Sequence, residues 1–287
     1  MPELPEVEVV KQSLEKYILN KNLLKIIVKN KNLRFPVPQD ISRKLCNLKI
    51  IKLKRKSKYV IIKFKNNWYL VIHLGMSGTL HLIKDLNKFQ NTNLSFYKSK
   101  NLPKKHNHIF FKFRNYSVIF NDPRRFGFIK LFYNEKQLNN YFEKFGPDPF
   151  EKEFNFKYVK EYLKNKKKNI KNFLLDQNFV SGIGNIYASE ILNFSKINPL
   201  KPSKKLNKKE MNKIIFYSKK ILQRAIKRGG TTISNFHSIK GNQGSYQNEF
   251  RAYNRNNQKC KNELCKGLII KINISNRSTY LCYNCQK

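Results

Sequence analysis

Residues 260–285 read CKNELCKGLIIKINISNRSTYLCYNC and carry four cysteines in two close pairs. Cys260 and Cys265 are separated by four residues and Cys282 and Cys285 by two, with sixteen residues between the pairs. Two such pairs on the turns of a β-hairpin can place four thiolates tetrahedrally around Zn²⁺. A unit of about 35 residues has too small a core to fold alone, so a metal ion would supply the free energy of folding.

Four thiolates leave no coordination position open for water, so the pattern predicts one structural zinc ion. Disulfide bonds are the alternative for these cysteines. The chain starts MPELPE, at residues 1–6, which has neither the basic start nor the apolar segment of a secretion signal. We therefore expect a cytoplasmic protein, in which thiols stay reduced and paired spacing favours a metal. The fifth cysteine, Cys46, is predicted to be a small buried hydrophobe.

The region before the cysteine unit carries apolar residues three and four positions apart, which predicts helices. The predicted helices are 158–165, 168–175, 185–192 and 208–228. Gly229 and Gly230 end the last of them as a C-cap would. The segment FGPDP at 145–149 is rich in turn residues and is the predicted linker to the region before it.

The first half of the chain alternates short β-branched and aromatic segments with turn residues, which predicts strands. They are 23–28, 49–54, 59–64, 68–74, 109–114 and 117–121. Short strands without helices between them favour an antiparallel sandwich. A helix at 4–19 is predicted to precede them, because Val7, Val10 and Leu14 fall on one apolar face. Residues 84–105 are rich in Lys, Asn and Ser, so a long solvated loop is expected there.

The 287 residues include 59 Lys and Arg against 18 Asp and Glu, a formal net charge of +41. Such a charge attracts polyanions, of which nucleic acid is the commonest. The alternative source of the charge is the bias of an AT-rich coding sequence, since Lys, Asn, Ile and Phe abound. Of the basic residues 11 are Arg, so Arg124, Arg125, Arg251 and Arg277 are candidates for contacts that need a planar fork. No apolar run approaches the ~18 residues of a membrane span, so no membrane partner is expected.

The amino terminus is a candidate nucleophile. Removal of Met1, which a small second residue allows, would leave Pro2 as a free secondary amine. An α-amino group titrates near ~7.7–8.0 against ~10.4 for Lys, so it is closer to its neutral form. Such an amine can attack the C1′ atom of a sugar and form an iminium. Glu3 and Glu6 lie beside it and are candidates for acid–base work, or they only favour the start of the helix electrostatically.

Five segments in this order resemble the formamidopyrimidine-DNA glycosylase family, and the cysteine hairpin stands where that family has its zinc finger. They are MPELPEVE (1–8), KY (58–59), HLGMSG (73–78), DPRRFG (122–127) and GIGNIYASE (182–190). The resemblance covers nearly the whole chain. It implies an α+β multidomain fold with an N-terminal helix, an antiparallel β-sandwich, a helix-two-turns-helix domain and a C-terminal four-cysteine zinc hairpin.

Carried onto this chain, the resemblance predicts five segments. They are a catalytic domain of helix plus β-sandwich at 1–134, a linker at 135–152, a helix-two-turns-helix DNA-binding domain at 153–238, a mobile lesion-capping loop at 239–249 and the zinc finger at 250–287.

The function implied is that of a base-excision-repair enzyme, a bifunctional DNA glycosylase and AP lyase acting as a monomer on damaged double-stranded DNA. The family removes oxidised purines, such as 8-oxoguanine and formamidopyrimidines, through a Schiff base and then cleaves the strand by β,δ-elimination. By motif match Pro2 is the nucleophile and Glu3 is the carboxylate that transfers a proton during opening of the sugar ring. Glu6 supports the site, and Lys58 contacts a phosphate near the lesion.

The resemblance also implies residues that bind DNA. Met76, Arg124 and Phe126 match the side chains that fill the gap left when a nucleotide turns out of the stack. Core packing is the alternative for Met76 and Phe126. Arg125 contacts a phosphate or forms a structural ion pair.

Three further contacts with the DNA backbone follow from the resemblance. Asn185, which opens a helix, and Arg277, in the hairpin, match phosphate-binding residues. His106, together with His108, matches a segment along the DNA backbone. The alternative for both histidines is that they are solvated or have hydrogen-bond partners within the protein.

The sequence departs from the family pattern in three places, one of which is a longer loop near 85–103. The first cysteine pair is separated by four residues instead of two, and GNQGSY at 241–246 lacks the usual proline of the lesion-capping loop. Two other functions compete: an endonuclease-VIII-like glycosylase for oxidised pyrimidines, and a non-enzymatic basic zinc-containing protein that binds nucleic acid. Leu4 and the pair Arg124 and Phe126 argue against the first. The Pro2-Glu3 start argues against the second.

Overall fold

The computed structural model describes residues 1–84, 90–92, 104–231 and 244–287. It divides into two compact units. The first contains Met1–Glu143 and Arg228–Ser245, and the second contains Lys144–Lys227 and Tyr246–Lys287. Each unit is therefore built from two separate pieces of the chain.

The first unit consists of two antiparallel sheets with short helices. Its helices are α1 (Leu4–Ile18), α2 (Ile41–Leu45) and α3 (Glu135–Phe142). Its strands are β1 (Asn22–Leu23), β2 (Lys25–Val28), β3 (Leu48–Lys56), β4 (Tyr59–Phe64), β5 (Tyr69–His73), β6 (Thr79–Lys84), β7 (Gln90–Thr92), β8 (Asn107–Lys112), β9 (Tyr116–Asn121) and β10 (Phe128–Phe132). One sheet has the order β1-β3-β4-β5-β10 and the other β2-β8-β9-β6-β7. The predicted N-terminal helix with an antiparallel sandwich is confirmed.

Helix α1 and the two sheets share one hydrophobic core. Val10 and Leu14 of α1, Val60 of β4 and Ile109 of β8 are all at most 1% exposed. Full burial of one such side chain stabilises the fold by roughly 1.5–3 kcal/mol, so the sheets that carry the site are held on a rigid base. Cys46, the C-cap residue of α2, is half-buried, so the prediction that it is buried was wrong.

The prediction of a loop over 84–105 is wrong at one place, where the structure has a strand. Strand β7 lies inside it and pairs with β6, with Leu82 opposite Thr92. Its residues Gln, Asn and Thr pair through the backbone and carry no apolar alternation that could have predicted a strand. Residues 85–89 and 93–103 of that segment lie outside the described residues.

The second unit combines four helices and a β-hairpin among its described residues. They are α4 (Phe156–Leu163), α5 (Ile170–Leu175), α6 (Asn185–Ser195), α7 (Lys208–Lys227), β11 (Ile270–Ile274) and β12 (Arg277–Leu281). The helical region and the hairpin are therefore confirmed. Asn155 caps α4, because its side chain accepts a hydrogen bond from the backbone N–H of Tyr158. Over the described ranges no helix has the length and apolar character needed to cross a membrane.

Candidate functional site

Polar residues at the amino terminus are buried in the first unit. Pro2 is buried, and the side chains of Glu3, Glu6 and Lys58 belong to residues that are 3%, 2% and 6% exposed. Charged residues are rarely so buried unless they are paired or functional. Glu3, Glu6 and Lys58 all lie close enough to the terminal amine beside Pro2 to interact with it electrostatically, so the structure brings the four predicted catalytic residues together.

Burial lowers the pKa of the amino group at residue 1 below its ordinary range. The carboxylates of Glu3 and Glu6 oppose this effect, while the cations of Lys58 and Arg124 add to it. The lower pKa favours the neutral amine, which is the nucleophilic form. The surroundings of the Met1 amine, next to Pro2, therefore favour the neutral form that nucleophilic chemistry requires.

The Glu6 carboxylate connects the start of α1 to a distant part of the chain. Its Oε2 accepts the backbone N–H of Glu3 at 2.9 Å, and its Oε1 accepts both the N–H and the hydroxyl of Thr231 at 3.0 Å. Gly230 precedes Thr231 with a φ of +80°, and a Cβ there would lie 3.2 Å from Glu6 Oε1. Glu3 and Glu6 also form the two sides of a capping box. Glu6 therefore stabilises the start of α1, which is one of the two roles predicted for it. It also holds residues 230 and 231 against the start of this helix.

His73, at the end of β5, opens the HLGMSG segment and was not among the predicted site residues. Burial, together with the positive charges of Lys58 and Arg34, lowers its pKa to about 4. Its Nδ1 accepts the backbone N–H of Gly75 at 3.1 Å. The ring is therefore neutral near pH 7, and the proton sits on Nε2, which makes that atom a hydrogen-bond donor.

Asp122 organises the two loops that carry Met76, Arg124 and Phe126. Asp122 is 0% exposed, and its carboxylate accepts the Ser77 hydroxyl at 2.5 Å and the Gly127 N–H at 2.7 Å. The backbone N–H of Arg124 lies 3.3 Å from the same carboxylate. At Gly75, with a φ of +63°, a Cβ would lie 2.4 Å from the backbone nitrogen of Gly127. The loops are thus packed backbone against backbone and hold one arrangement.

These loops present their large side chains to solvent. Met76 is 43% and Phe126 is 40% exposed, so core packing is excluded for both. The guanidinium of Arg124 lies 4.6 Å from the centre of the Phe126 ring, as a cation–π pair would. Arg125 is exposed, has a φ of 56° and takes part in none of the ion pairs found among the described residues. With Arg34, these arginines line an open groove of about 620 Å³.

The two histidines near β8 differ. His108 is 3% exposed, and its Nε2 lies 2.8 Å from the carbonyl oxygen of Asp122, so it is a buried histidine with a partner inside the protein. His106 is half-buried in the turn before β8, and burial lowers its pKa. Of the pair, His106 is the residue with ring surface open to solvent.

In the second unit, the hairpin is joined to the helices through buried polar contacts. Asn185 Nδ2 donates to the Ser278 carbonyl at 2.9 Å, so one of its two amide hydrogens is already used. Lys171, which is 0% exposed, donates to the Thr279 hydroxyl at 2.5 Å. Arg277 is exposed at the start of β12 and lines an open depression of about 380 Å³. Asn185 and Arg277 are therefore carried by adjoining elements of one unit.

The Glu190 carboxylate, in α6, accepts three backbone N–H groups. They belong to Arg251, Ala252 and Tyr253, at 2.7–2.9 Å. Burial raises the pKa of Glu190, and these hydrogen bonds oppose that effect. Glu190 thereby fixes the chain that leads into the cysteine hairpin.

The four cysteines of the hairpin form one cluster. All four sulfur atoms lie within 4.8 Å of one another, with Cys260 and Cys285 at 3.7 Å and Cys265 and Cys282 at 3.6 Å. A tetrahedral ion with metal–sulfur bonds of about 2.3 Å requires sulfurs about 3.8 Å apart. A disulfide requires about 2.05 Å, so that alternative is excluded. The donor set and its spacing fit a bound metal ion.

Two family models match the chain. The formamidopyrimidine-DNA glycosylase N-terminal domain matches residues 1–129, and the H2TH domain of the same family matches residues 145–237. The chain belongs to the formamidopyrimidine-DNA glycosylase family. The predicted resemblance is therefore confirmed, and the chain is a glycosylase by family.

Full-length relatives agree. The formamidopyrimidine-DNA glycosylases of Wolbachia sp. subsp. Drosophila simulans (strain wRi) and Rickettsia bellii (strain OSU 85-389) are 41% and 40% identical, and the match covers 100% of each chain. The structure is also similar to Lactococcus lactis Fpg, at 32% identity and a TM-score of 0.87. One such structure, covering 100% of both chains, is a mutant of that protein in complex with Fapy-dG-containing DNA. Another, covering 99% of both, holds DNA with an abasic site.

Proposed function

We propose that this glycosylase excises oxidised purines, 8-oxoguanine and formamidopyrimidines, from double-stranded DNA and then cleaves the strand as an AP lyase. The observation that carries the proposal is the burial of Pro2 near Glu3 and Lys58, which are 3% and 6% exposed, at an amino terminus where burial lowers the pKa of the Met1 amine. A protein that only binds nucleic acid has no need of a buried proline at its amino terminus beside a buried carboxylate. The DNA complexes of the L. lactis enzyme support the same class of substrate.

The first chemical step uses the amine of Pro2 after Met1 has been removed. The nitrogen lone pair forms a bond to C1′, while the bond from C1′ to the damaged base breaks and the base leaves with its electron pair. The Glu3 carboxylate takes the N–H proton that Pro2 loses on forming this bond, and it passes that proton to the ring oxygen O4′ as the nitrogen lone pair forms the C=N bond and the bond from C1′ to O4′ breaks. The products are the released base and an iminium between Pro2 and C1′.

The iminium then drives strand cleavage. It acidifies C2′, so loss of a C2′ proton expels the 3′ phosphate, and a second elimination expels the 5′ phosphate. Water hydrolyses the remaining iminium and returns Pro2 to the free amine. Lys58, 6% exposed, supplies a fixed positive charge beside these phosphates.

Duplex DNA is held by residues of both units. Met76, Arg124 and Phe126 enter the space left by the everted nucleotide, which suits their exposure on two loops locked together by Asp122. Phosphates are bound by donors and cations that have surface open to solvent. These are His106, Arg125, Asn185, through its second amide hydrogen, and Arg277. The formal charge of +41 supplies the long-range attraction.

The metal of the four-cysteine cluster is proposed to be one structural zinc ion, held by Cys260, Cys265, Cys282 and Cys285. Zinc favours four tetrahedral thiolates, and such a set leaves no position open for a catalytic water. The ion would stabilise the hairpin that carries Arg277. The protein is proposed to act as a monomer.

The test uses a duplex with one 8-oxoguanine opposite cytosine, incubated with and without borohydride. Strand cleavage and a borohydride-trapped covalent complex are expected, because borohydride reduces the iminium to a stable amine. Glu3→Gln is expected to abolish base release, whereas Glu15→Gln, at a partly exposed position on α1, leaves it unchanged. Tight binding without cleavage, by protein whose mass shows that Met1 is absent, would refute the proposal. Faster excision of an oxidised pyrimidine would favour the endonuclease-VIII-like alternative.

A further inference from the structure

The sulfurs of the cysteine cluster receive their hydrogen bonds from two kinds of donor. Cys265 takes one from the backbone amide of Gly267. Cys282 takes them from the backbone amides of Asn284 and Cys285. These hydrogen bonds come from the backbone conformation of the turns and do not depend on which side chains the turns carry.

The sulfurs of Cys285 and Cys260 instead receive hydrogen bonds from a single side chain, that of Asn262. Asn262 Nδ2 lies 3.0 Å from the Cys285 sulfur and 3.5 Å from the Cys260 sulfur, so its two hydrogens can serve one sulfur each. The backbone nitrogen of Asn262 also lies 3.5 Å from the Cys260 sulfur. Asn262 is 6% exposed, which keeps these bonds away from water. The amide therefore bridges one sulfur from each cysteine pair.

Arg251 fixes which way this amide points. Its Nη1 donates to Asn262 Oδ1 at 3.0 Å. The reversed amide would set its oxygen against the two sulfurs and its NH₂ group against the guanidinium, and both contacts would be repulsive. Arg251 is itself held, since its guanidinium lies 4.2 Å from the centre of the Phe194 ring and its backbone N–H donates to Glu190.

The longer spacing of the first cysteine pair creates this arrangement. Asn262 lies within the four residues between Cys260 and Cys265, and its carbonyl accepts the N–H of Cys265 at 3.1 Å. The left-handed φ of 60° at Leu264 closes the turn. Because the chain turns back after Asn262, its side chain lies over the sulfurs.

We propose that Asn262, oriented by Arg251, is a positioning residue of the metal centre. It orients the sulfurs of Cys260 and Cys285 and draws electron density from them when the ion is bound. Four thiolates and a divalent cation carry a net charge of −2, which N–H donors and a nearby guanidinium offset. The inference rests on the metal centre proposed above and is independent of the glycosylase chemistry.

Zinc affinity provides the first test, measured on the full-length protein by competition with a chromophoric chelator. Asn262→Asp keeps the size of the side chain and an acceptor for Arg251 but removes both N–H donors. We expect it to weaken zinc binding by about 10–100-fold, with Asn262→Ala intermediate. Asn273→Asp makes the same chemical change at an exposed position on β11 and is expected to leave the affinity unchanged. Equal affinities for the Asn262 and Asn273 variants would overturn the proposal.

The spectrum of the cobalt-substituted protein separates positioning from mere stability of the hairpin. Hydrogen bonds stabilise the sulfur lone pairs, so their loss in Asn262→Ala should move the thiolate-to-cobalt charge-transfer band to longer wavelength at saturation. Arg251→Gln, which leaves every donor to sulfur in place, should shift the band less. A saturated Asn262→Ala spectrum identical to wild type would contradict the role of the amide. If the wild-type protein itself shows no such band, the proposed metal centre is refuted. This conclusion does not depend on the outcome of the glycosylase assay.

Discussion

Asp122 gives the sharpest quantitative prediction for the first unit. Its buried carboxylate accepts the Ser77 hydroxyl and the Gly127 N–H, and Ser77 is 6% exposed. Asp122→Ala leaves both donors buried without an acceptor, at roughly 1–3 kcal/mol each, or about 2–6 kcal/mol in total. Asp122→Asn keeps one acceptor oxygen and should lose about half as much, roughly 1–3 kcal/mol.

The assay is urea unfolding followed by the fluorescence of Trp68, the one tryptophan of the chain, which packs on Tyr133 in the first unit. With an m-value of about 2 kcal/mol per molar urea, Asp122→Ala should lower the midpoint by about 1–3 M. Asp40→Asn is the control, because Asp40 is 45% exposed and forms surface ion pairs with Arg43 and Lys44. Its effect should stay within about 0.5 kcal/mol.

A second measurement connects Asp122 to the proposed DNA contacts. If Asp122 holds the loops of Met76 and Phe126, the folded Asp122→Asn variant should lose affinity for a duplex with an abasic-site analogue more than for undamaged DNA. If the Asp122 variants unfold at the same urea midpoint as Asp40→Asn, the structural role given to Asp122 is refuted. Equal losses of affinity for the two duplexes would also refute it.

Four further predictions concern the nucleophile, the half-buried His73, the metal and the salt dependence of DNA binding. Pro2→Gly, with Met1 removed, should lower strand cleavage and borohydride trapping far more than affinity; equal losses in all three would contradict the role of Pro2. His73 has a pKa near 4 when folded against about 6.5 unfolded, so its contribution to stability is present above pH 6.5 and is lost as the pH falls towards 4, by up to ~3 kcal/mol. Urea midpoints of His73→Gln should be flatter over that range, and a slope equal to wild type would disprove the shift. Removal of the metal by chelation should unfold the cysteine hairpin and weaken duplex binding; unchanged binding by protein shown to be free of metal would exclude this dependence. The logarithm of the duplex affinity should fall with that of salt by about 0.9 per phosphate contacted, and Arg277→Gln should reduce this slope by about one; a flat wild-type dependence would exclude duplex binding.

Much of the fold follows from local sequence patterns. Helix α1 runs from Leu4 to Ile18, close to the 4–19 predicted, because its buried residues recur every three or four positions. Helix α7 ends at Lys227, one residue short of the predicted end at 228 and two before Gly229, the first of the glycines predicted to end it. Strand β7 was missed because its pairing depends on backbone hydrogen bonds with β6 and on no pattern of its own.

The site was predictable where a motif carries it and unpredictable where a distant partner does. Pro2, Glu3 and Lys58 lie in recognisable segments and are buried together. In contrast, the importance of Glu190 depends on backbone N–H groups about sixty positions further along the chain, such as that of Arg251 at a separation of 61. No local pattern reveals such a partner, because a buried polar group is paired by the tertiary fold. The predicted lesion-capping loop, 239–249, lies partly outside the described residues, which resume at Gly244.

The contact between Glu6 and Thr231 sets an order of events during synthesis. The two residues are 225 positions apart, and the second piece of the first unit begins only at Arg228. At about 5–20 residues per second, a ribosome needs roughly 10–45 s after Glu6 before Thr231 exists. Throughout that interval the Glu6 carboxylate lacks these two donors, and the amino terminus is not yet closed in by them. The nascent chain therefore has a period in which an aminopeptidase can reach Met1 before Glu6 is bound to Thr231.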